Sequence, residues 1–210
     1  MKYILSPAPQ GTDEWKLARL GKATGSRAAD IVATIKSGEA AARRDYRVQL
    51  VAERLTGMPA EYTYVSKEME WGTEQEPYAR MVYESMAGEI IEEVGFAYLP
   101  NIMAGCSVDG FTSDGGIIEI KCPKSATHVG YISGSRTPSE YIPQIKHNLY
   151  VTGADFCRFI SFDPRMPENL QLFVVTIRRD EIDIADYELK LLKFLTEVDK
   201  LEGDLRKIAV

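Results

Sequence analysis

The sequence predicts an α/β (α+β) fold, a central mixed β-sheet flanked by helices with a helical N-terminal third. Three observations carry that expectation. Apolar residues recur at helical spacing in the segments up to Met86. The period then shortens to that of strands between Ile90 and Cys122. Beyond these, one helical segment, two more strands and a long amphipathic stretch complete the chain, an order that suits helices packed on a mixed sheet.

Each element has its own signal. Thr12 to Leu20 reads as a short helix stopped by Gly21, and Ser26 is placed to cap a second through Ile31 and Val32. Ala40 to Thr56 is a longer helix with Tyr46, Leu50 and Leu55 inward and Gly57 at its end. Another spans Thr73 to Met86, with Pro77 in the first turn, where a missing N–H costs little. Strands are expected at Ile90-Ile91, Val94 to Leu99, Gly105 to Thr112 and Ile117 to Cys122. The last two are joined as a hairpin by Ser113-Asp114-Gly115-Gly116. A helix from Ser139 to Val151, strands Phe156 to Phe162 and Leu172 to Ile177, and a helix from Asp180 to about Lys207 follow.

At 210 residues, with no repeat, linker or low-complexity stretch, the chain suits one domain over residues 1–210. No apolar run approaches the roughly 20 residues that span a bilayer, and the N-terminus lacks a signal-peptide core, so no membrane partner is expected. Three cysteines, Cys106, Cys122 and Cys157, cannot all pair, which fits free thiols in a reducing cytoplasm. The net charge of −6 is unevenly spread. Residues 1–67 carry 11 Lys/Arg against 7 Asp/Glu, and residues 68–210 carry 14 against 24. A phosphate backbone needs a local basic surface rather than a basic total, so a nucleic-acid partner is compatible with this balance.

The chemistry lies in Asp109-Gly110 followed by Glu119-Ile120-Lys121. Along a strand Glu119 and Lys121 share one face, and a turn centred on Asp114 sets Asp109 across from Glu119. Two carboxylates about 4 Å apart repel by about 4 kcal/mol at an effective dielectric near 20. A hard cation such as Mg²⁺ relieves that repulsion, with the Ile120 carbonyl as a further oxygen ligand and Lys121 beside it. An exposed hairpin of alternating charges produces the same pattern at about even odds. Thr73-x-x-Glu76 matches a capping box, and on spacing alone the cap is the better account of Glu76. Gln144 is a polar residue near a helix start. Arg43, Arg44, Arg47 and Arg54 share the third helix, and Arg43, Arg47 and Arg54 recur at helical spacing, a basic face suited equally to a phosphate backbone or to solvent. His128 and His147 are too isolated for a histidine metal site.

Taken in order, these landmarks resemble the bacteriophage lambda exonuclease family (YqaJ-type viral recombinases), a branch of the PD-(D/E)xK nucleases. The resemblance runs from Glu14-Trp15 to about Glu181. It rests on Arg19-Leu20-Gly21-x2-Thr24-x-Ser26, Trp71-Gly72-x3-Glu76, Cys106-Ser107-x-Asp109-Gly110, Glu119-x-Lys121-Cys122-Pro123, Gln144 and Asp163-Pro164-Arg165-Met166. It implies a PD-(D/E)xK core and a Mg²⁺-dependent 5′→3′ double-strand exonuclease, with Mn²⁺ as a substitute, leaving 3′ single strands for recombination. By the resemblance Glu76, Asp109, Glu119 and the Ile120 carbonyl hold the cation, and Lys121 and Gln144 stand near the attacking water. Arg19, Ser26 and Ser107 match the pocket for a DNA 5′-phosphate. Met69 falls where the family carries a strand-separating wedge, although a core methionine is the plainer account. A ring-shaped homotrimer and a single-strand annealing protein are the partners implied besides DNA ends, in a bacterial or phage-encoded cytoplasmic setting. Val108 stands where the family motif has proline, a change without catalytic consequence. A related endonuclease or nickase, or an inactive DNA-binding assembly module, are the competing functions. A serine hydrolase on Ser107 fails because the surrounding glycine spacing is wrong and no histidine is placed as its base.

Overall fold

The computed structural model describes residues 3–60 and 66–208. Its strands form two mixed four-stranded sheets. The first contains β1 (Ile4–Ser6), β3 (Phe96–Tyr98), β4 (Ala104–Cys106) and β2 (Ala23–Thr24), in that spatial order, with only the β4–β2 pair parallel. The second contains β5 (Gly110–Phe111), β6 (Ile117–Lys121), β7 (Phe156–Phe162) and β8 (Leu172–Arg178), with only β6–β7 parallel.

The strand expected over Gly105 to Thr112 is thus divided between two sheets. Gln10 Nε2 donates to the carbonyls of Val94 and Val108, at 3.2 and 3.0 Å, and so occupies an acceptor at the break. Ser107, Val108 and Asp109 bridge the sheets there. Strands β1 and β2, of three and two residues, are too short to show an alternation in sequence. The expected Ile90-Ile91 strand is absent, because the Ile91 N–H donates to the Glu84 carboxylate and pairing is confined to a bridge between Glu92 and Phe111.

The helices are α1 (Asp13–Arg19), α2 (Ala28–Ile31), α3 (Ala41–Thr56), α4 (Lys67–Ala87), α5 (Ser125–Gly134), α6 (Ile142–Thr152) and α7 (Ile184–Ile208). Helix α4 starts six residues before the expected Thr73, capped by Ser66, whose Oγ accepts from the Met69 N–H. The capping-box account of Glu76 therefore fails: Thr73 lies inside the helix and donates to the Met69 carbonyl. Pro77 is an interior residue rather than a first-turn one. Helix α5 was not expected, having two glycines and little amphipathic pattern. It is held by fully buried His128, whose ring nitrogens meet Ser161 Oγ at 2.7 Å and the Leu170 carbonyl at 2.8 Å.

One apolar cluster joins Tyr46 and Leu50 of α3, Ile145 and Leu149 of α6, and Leu191 and Phe194 of α7 to Ile117 and Phe159 of the second sheet. Leu55, expected inward, is exposed. A smaller cluster packs Ala79 and Tyr83 of α4 against Ile118, Ile120, Ile160 and Phe162. Strand β6 therefore turns its even-numbered side chains to α4 and its odd-numbered ones to the larger core. Buried His147 ties the layers, with Nε2 at 2.9 Å from the Gly105 carbonyl and Nδ1 at 2.7 Å from Tyr187 Oη.

Gly105 is packed tightly against β3, since an added Cβ would overlap the Phe96 ring and lie 2.7 Å from the Ala97 carbonyl oxygen. Gly105→Ala should cost about 1–3 kcal/mol of stability, as overpacking generally does. Urea unfolding monitored by far-UV circular dichroism measures it, and a midpoint equal to wild type would contradict this packing.

Candidate functional site

The β5–β6 register is Gly110↔Ile118 and Phe111↔Ile117, and its continuation sets Asp109 opposite Glu119, as expected from the turn at Asp114. The Asp109 N–H donates to the Ile118 carbonyl at 3.3 Å, and the Ile120 N–H donates to Asp109 Oδ2 at 2.6 Å. The backbone groups of one strand residue face the same side, so the Ile120 carbonyl also faces the open edge beyond β5 rather than β7. Asp109 occupies this edge because the long strand breaks at Val108.

Glu119 projects on the other side of β6 and is 1% exposed. Lys121 Nζ and Gln144 Nε2 each reach its Oε1 at 2.5 Å, and Asn148 Nδ2 reaches Oε2 at 3.0 Å. Lys121 also lies 5.4 Å from the Tyr141 ring centroid. Glu76 enters from α4, its Oε1 accepting from Arg80 at 2.8 Å, while Arg80 also pairs with Glu93. Glu76 and Lys121 border a cleft of about 800 Å³ that Trp71, Ile120 and Tyr141 also line.

The electrostatics follow from burying three carboxylates near one another. Burial, then the Asp109 charge, raises Glu76 to about 7 against the opposing pull of Arg80 and Lys121. Glu119 is also pushed up to about 7, by burial first and by Asp109, with Lys121 opposing. Burial raises Asp109, against Lys121 and the Ile120 N–H. Burial alone would lower Lys121, but the charges of Glu119 and Asp109 outweigh it and keep the ammonium protonated.

Among the described residues no three carboxylate, imidazole or thiol groups form a ready-made metal cage. The carboxylates are instead gathered and held by N–H donors and by Lys121. The donor set still fits a hard divalent cation, being all oxygen, poorly hydrated and mutually repelling. A bound cation would offset both the burial and the repulsion that raise Glu76 and Glu119.

A second group lies at the β2–β4 end of the first sheet. Parallel pairing of Thr24 with Gly105 brings the two serine-bearing loops, Ser26 and Ser107, just past neighbouring strand ends. Arg19 Nη1 donates to Ser107 Oγ at 3.2 Å, as does Trp15 Nε1 at 2.9 Å, and Arg19 stacks 4.1 Å over the Trp15 ring. Ser26 is not the expected N-cap: it sits within a 3-10 turn, Gly25–Arg27, and α2 beyond is only four residues long. Its hydroxyl is 3.5 Å from Thr24 Oγ1. Positive charge here comes from side chains such as Arg19, since so short a helix contributes little dipole.

Arg43 and Arg47 lie apart from both groups, in a network with Glu39 and Glu197, with Arg43 at 2.6 Å and Arg47 at 3.0 Å from Glu197 Oε2. That network fastens α3 to α7 and neutralises much of the charge read in sequence as a basic face. Arg44 is exposed and pairs with Asp45. Met69 is no core residue: it is 57% exposed and lines the large cleft. Sequence reasoning missed Tyr141, Arg80 and Asn148. Asn148 and Arg80 left a trace, each lying four residues from a site residue, Gln144 and Glu76.

The metal-free protein should lose stability as pH rises from about 5 to 8. Folded Glu76 and Glu119 bind protons more tightly than the unfolded chain, so the stability they contribute is present below the ordinary carboxylate range and lost on rising through about 7. For one group the slope is at most about 1.4 kcal/mol per pH unit. Thermal melts at several pH values, with EDTA or with Mg²⁺, check this. Glu119→Gln should flatten the profile, and Mg²⁺ should raise the melting temperature most at pH 8. A metal-free profile that climbs through this window would contradict the electrostatics.

The model of the YqaJ-like viral recombinase domain matches residues 14–155. Crystal structures of LHK-Exo, an alkaline exonuclease from Laribacter hongkongensis, are 40% identical and cover 94% of this chain and 98% of theirs. The TM-scores are 0.86 for the complex with dAMP and 0.84 for the second structure. A phage-related exonuclease from Haemophilus somnus 129PT shares the fold, at 15% identity and a TM-score of 0.67 over 90% of this chain and 96% of that one. No curated protein matches significantly.

Proposed function

This chain belongs to the YqaJ-like viral recombinase family, and from that membership and the site geometry we propose that it is a Mg²⁺-dependent 5′→3′ exonuclease of double-stranded DNA. The observation that carries the proposal is the pairing of Asp109 with Glu119, with Lys121 two residues on and Glu76 brought in from α4. Exonuclease action on DNA is also supported by the likeness to LHK-Exo.

Glu76, Asp109, Glu119 and the Ile120 carbonyl would hold the cation, with Mn²⁺ an acceptable substitute because it too accepts hard oxygen ligands. When bound, a divalent cation polarises a phosphoryl oxygen and supplies a nucleophilic water near neutral pH. Lys121 keeps a full positive charge beside Glu119, where it stabilises negative charge developing on the phosphate. Gln144 holds Glu119 Oε1 from α6 and so fixes the carboxylate's direction.

The polarity rests on the second group. Arg19, stacked on Trp15 and bonded to Ser107, presents a guanidinium suited to the forked recognition of a terminal phosphate. With Ser26 and Ser107 at adjacent loop starts, the group is a receptor for a DNA 5′-phosphate. Seating that end places the first internucleotide bond at the carboxylates and leaves a 3′ single strand, the substrate of a single-strand annealing protein in recombination. Exposed Met69 beside the cleft suits a wedge between the strands. The ion pairs of Arg43 and Arg47 turn them from DNA contacts into a brace, leaving exposed Arg44 as the phosphate contact on α3.

Digestion of a linear duplex labelled at either end, with 5′-phosphate or 5′-hydroxyl termini, tests the reading. Wild type should release the 5′ label first, only with Mg²⁺ or Mn²⁺, and leave closed circles intact. Asp109→Ala should lose at least about 100-fold in rate while staying folded, the scale on which losing one transition-state contact acts. Arg19→Ala should slow phosphorylated ends towards the hydroxyl rate. Near-normal turnover by Asp109→Ala would remove the site assignment, and equal rates on both kinds of end would remove the phosphate receptor.

A closed homotrimer is part of the proposal. A chain of net charge −6 attracts DNA weakly at long range, so a ring that encloses the duplex offers a physical route to repeated cutting. Light scattering on metal-free protein should give three times the 23.5 kDa chain mass. A monomer at micromolar concentration would exclude the ring.

A further inference from the structure

Gln144 and Asn148 lie four residues apart on α6, one above the other on a single face. Their amides reach different oxygens of Glu119, Gln144 Oε1 and Asn148 Oε2. Asn148 is 1% exposed. Its Oδ1 is buried and accepts no hydrogen bond. A buried unpaired oxygen destabilises the fold, so something must hold the amide this way round.

Two neighbours do so. Turned over, the amide would set its oxygen 3.0 Å from a carboxylate oxygen. On the far side Oδ1 abuts Gly25, where an added Cβ would overlap it. Gly25 lies between Thr24 and Ser26, the segment leading to the second group, and its lack of a side chain is what admits the amide. Asn148 thus fills the whole gap between Glu119 and the Thr24–Ser26 segment.

We propose that Asn148 is a positioning residue: it fixes Oε2 of Glu119 and, through its contact with Gly25, sets that carboxylate's place relative to the segment that carries Ser26. Lys121 contributes charge to Glu119, whereas Asn148 contributes direction, since a neutral amide cannot cancel the charge a cation would need. The proposal rests on the nuclease reading for its consequence and on the packing around Glu119 for its substance.

Calorimetric titration of Ca²⁺ into the metal-free protein, beside kcat and KM on linear duplex, tests it. Asn148→Leu removes the donor at similar volume. It should weaken Ca²⁺ binding and lower kcat, each by about 10- to 100-fold, the usual scale for residues that orient metal ligands. KM for DNA ends should stay within about twofold, and the melting temperature should change little, because removing the unpaired oxygen offsets the loss of a donor to buried Glu119. Gly25→Ala, which adds a methyl group and removes no donor to Glu119, should reproduce the weakened Ca²⁺ binding by displacing Asn148. Should Asn148→Leu not fold, Asn148→Ala carries the same test. Ca²⁺ affinity within twofold of wild type in a folded Asn148 variant would overturn the proposal. So would a lowered melting temperature with unchanged affinity, the mark of a packing role. Normal affinity in Gly25→Ala would break the link to the Ser26 segment. Metal titration needs no turnover, so an inactive wild type would count against the nuclease reading and leave the comparison at Asn148 intact.

Discussion

Glu119 carries its carboxylate where water hardly reaches, and such a group is tolerated inside a protein only when other donors replace its hydration. Lys121 supplies one from the same strand, and α6 supplies two more. Much of the architecture follows from that demand. Helix α6 must cross behind β6 at a fixed height, and buried His147 fastens it there between the Gly105 carbonyl and Tyr187. The interruption of the strand at Val108 releases Asp109 to satisfy the Ile120 N–H and leaves an open edge for the carbonyl. The cost of burying acids close together remains visible in the raised Glu76, Asp109 and Glu119, despite Lys121 and Arg80 beside them.

The hairpin was the most legible part of the sequence. Asp114 between small turn residues fixes a register, and with a side-chain period of two that register alone sets Asp109 across from Glu119. Strands β7 and β8, continuous apolar runs, were equally plain. Helix α4 misled because Gly72, Thr73 and Pro77 imitate a helix start, while the true cap, Ser66, stands in an unremarkable polar stretch. Helix α5 left little pattern because a buried histidine, not an apolar face, secures it.

The site was readable as a list of residues more than as an arrangement. The basic face of α3 looked like a surface for phosphates because Glu197, 154 positions from Arg43, gives no hint in sequence of closing on it. Ser26 looked like a cap because a 3-10 turn and a short helix share the same signals. Asn148 was legible only as a helical neighbour of Gln144, and its role was not. Its meaning depends on a glycine from the start of the chain, and no local pattern records a contact across such a distance.

The bridge from Tyr187 through His147 to the Gly105 carbonyl has a bearing on synthesis as well as on structure. Chains emerge from the ribosome N-terminus first, and Tyr187 lies on α7, which follows every other described helix and strand. Gly25, Glu76, Asp109, Glu119 and α6 are all made before the piece that secures α6 from behind. A cluster assembled from segments so far apart has a high loop-closure cost and forms late. The nascent chain therefore carries its acids unassembled until α7 has been made, because the residues of the site precede the helix that secures α6.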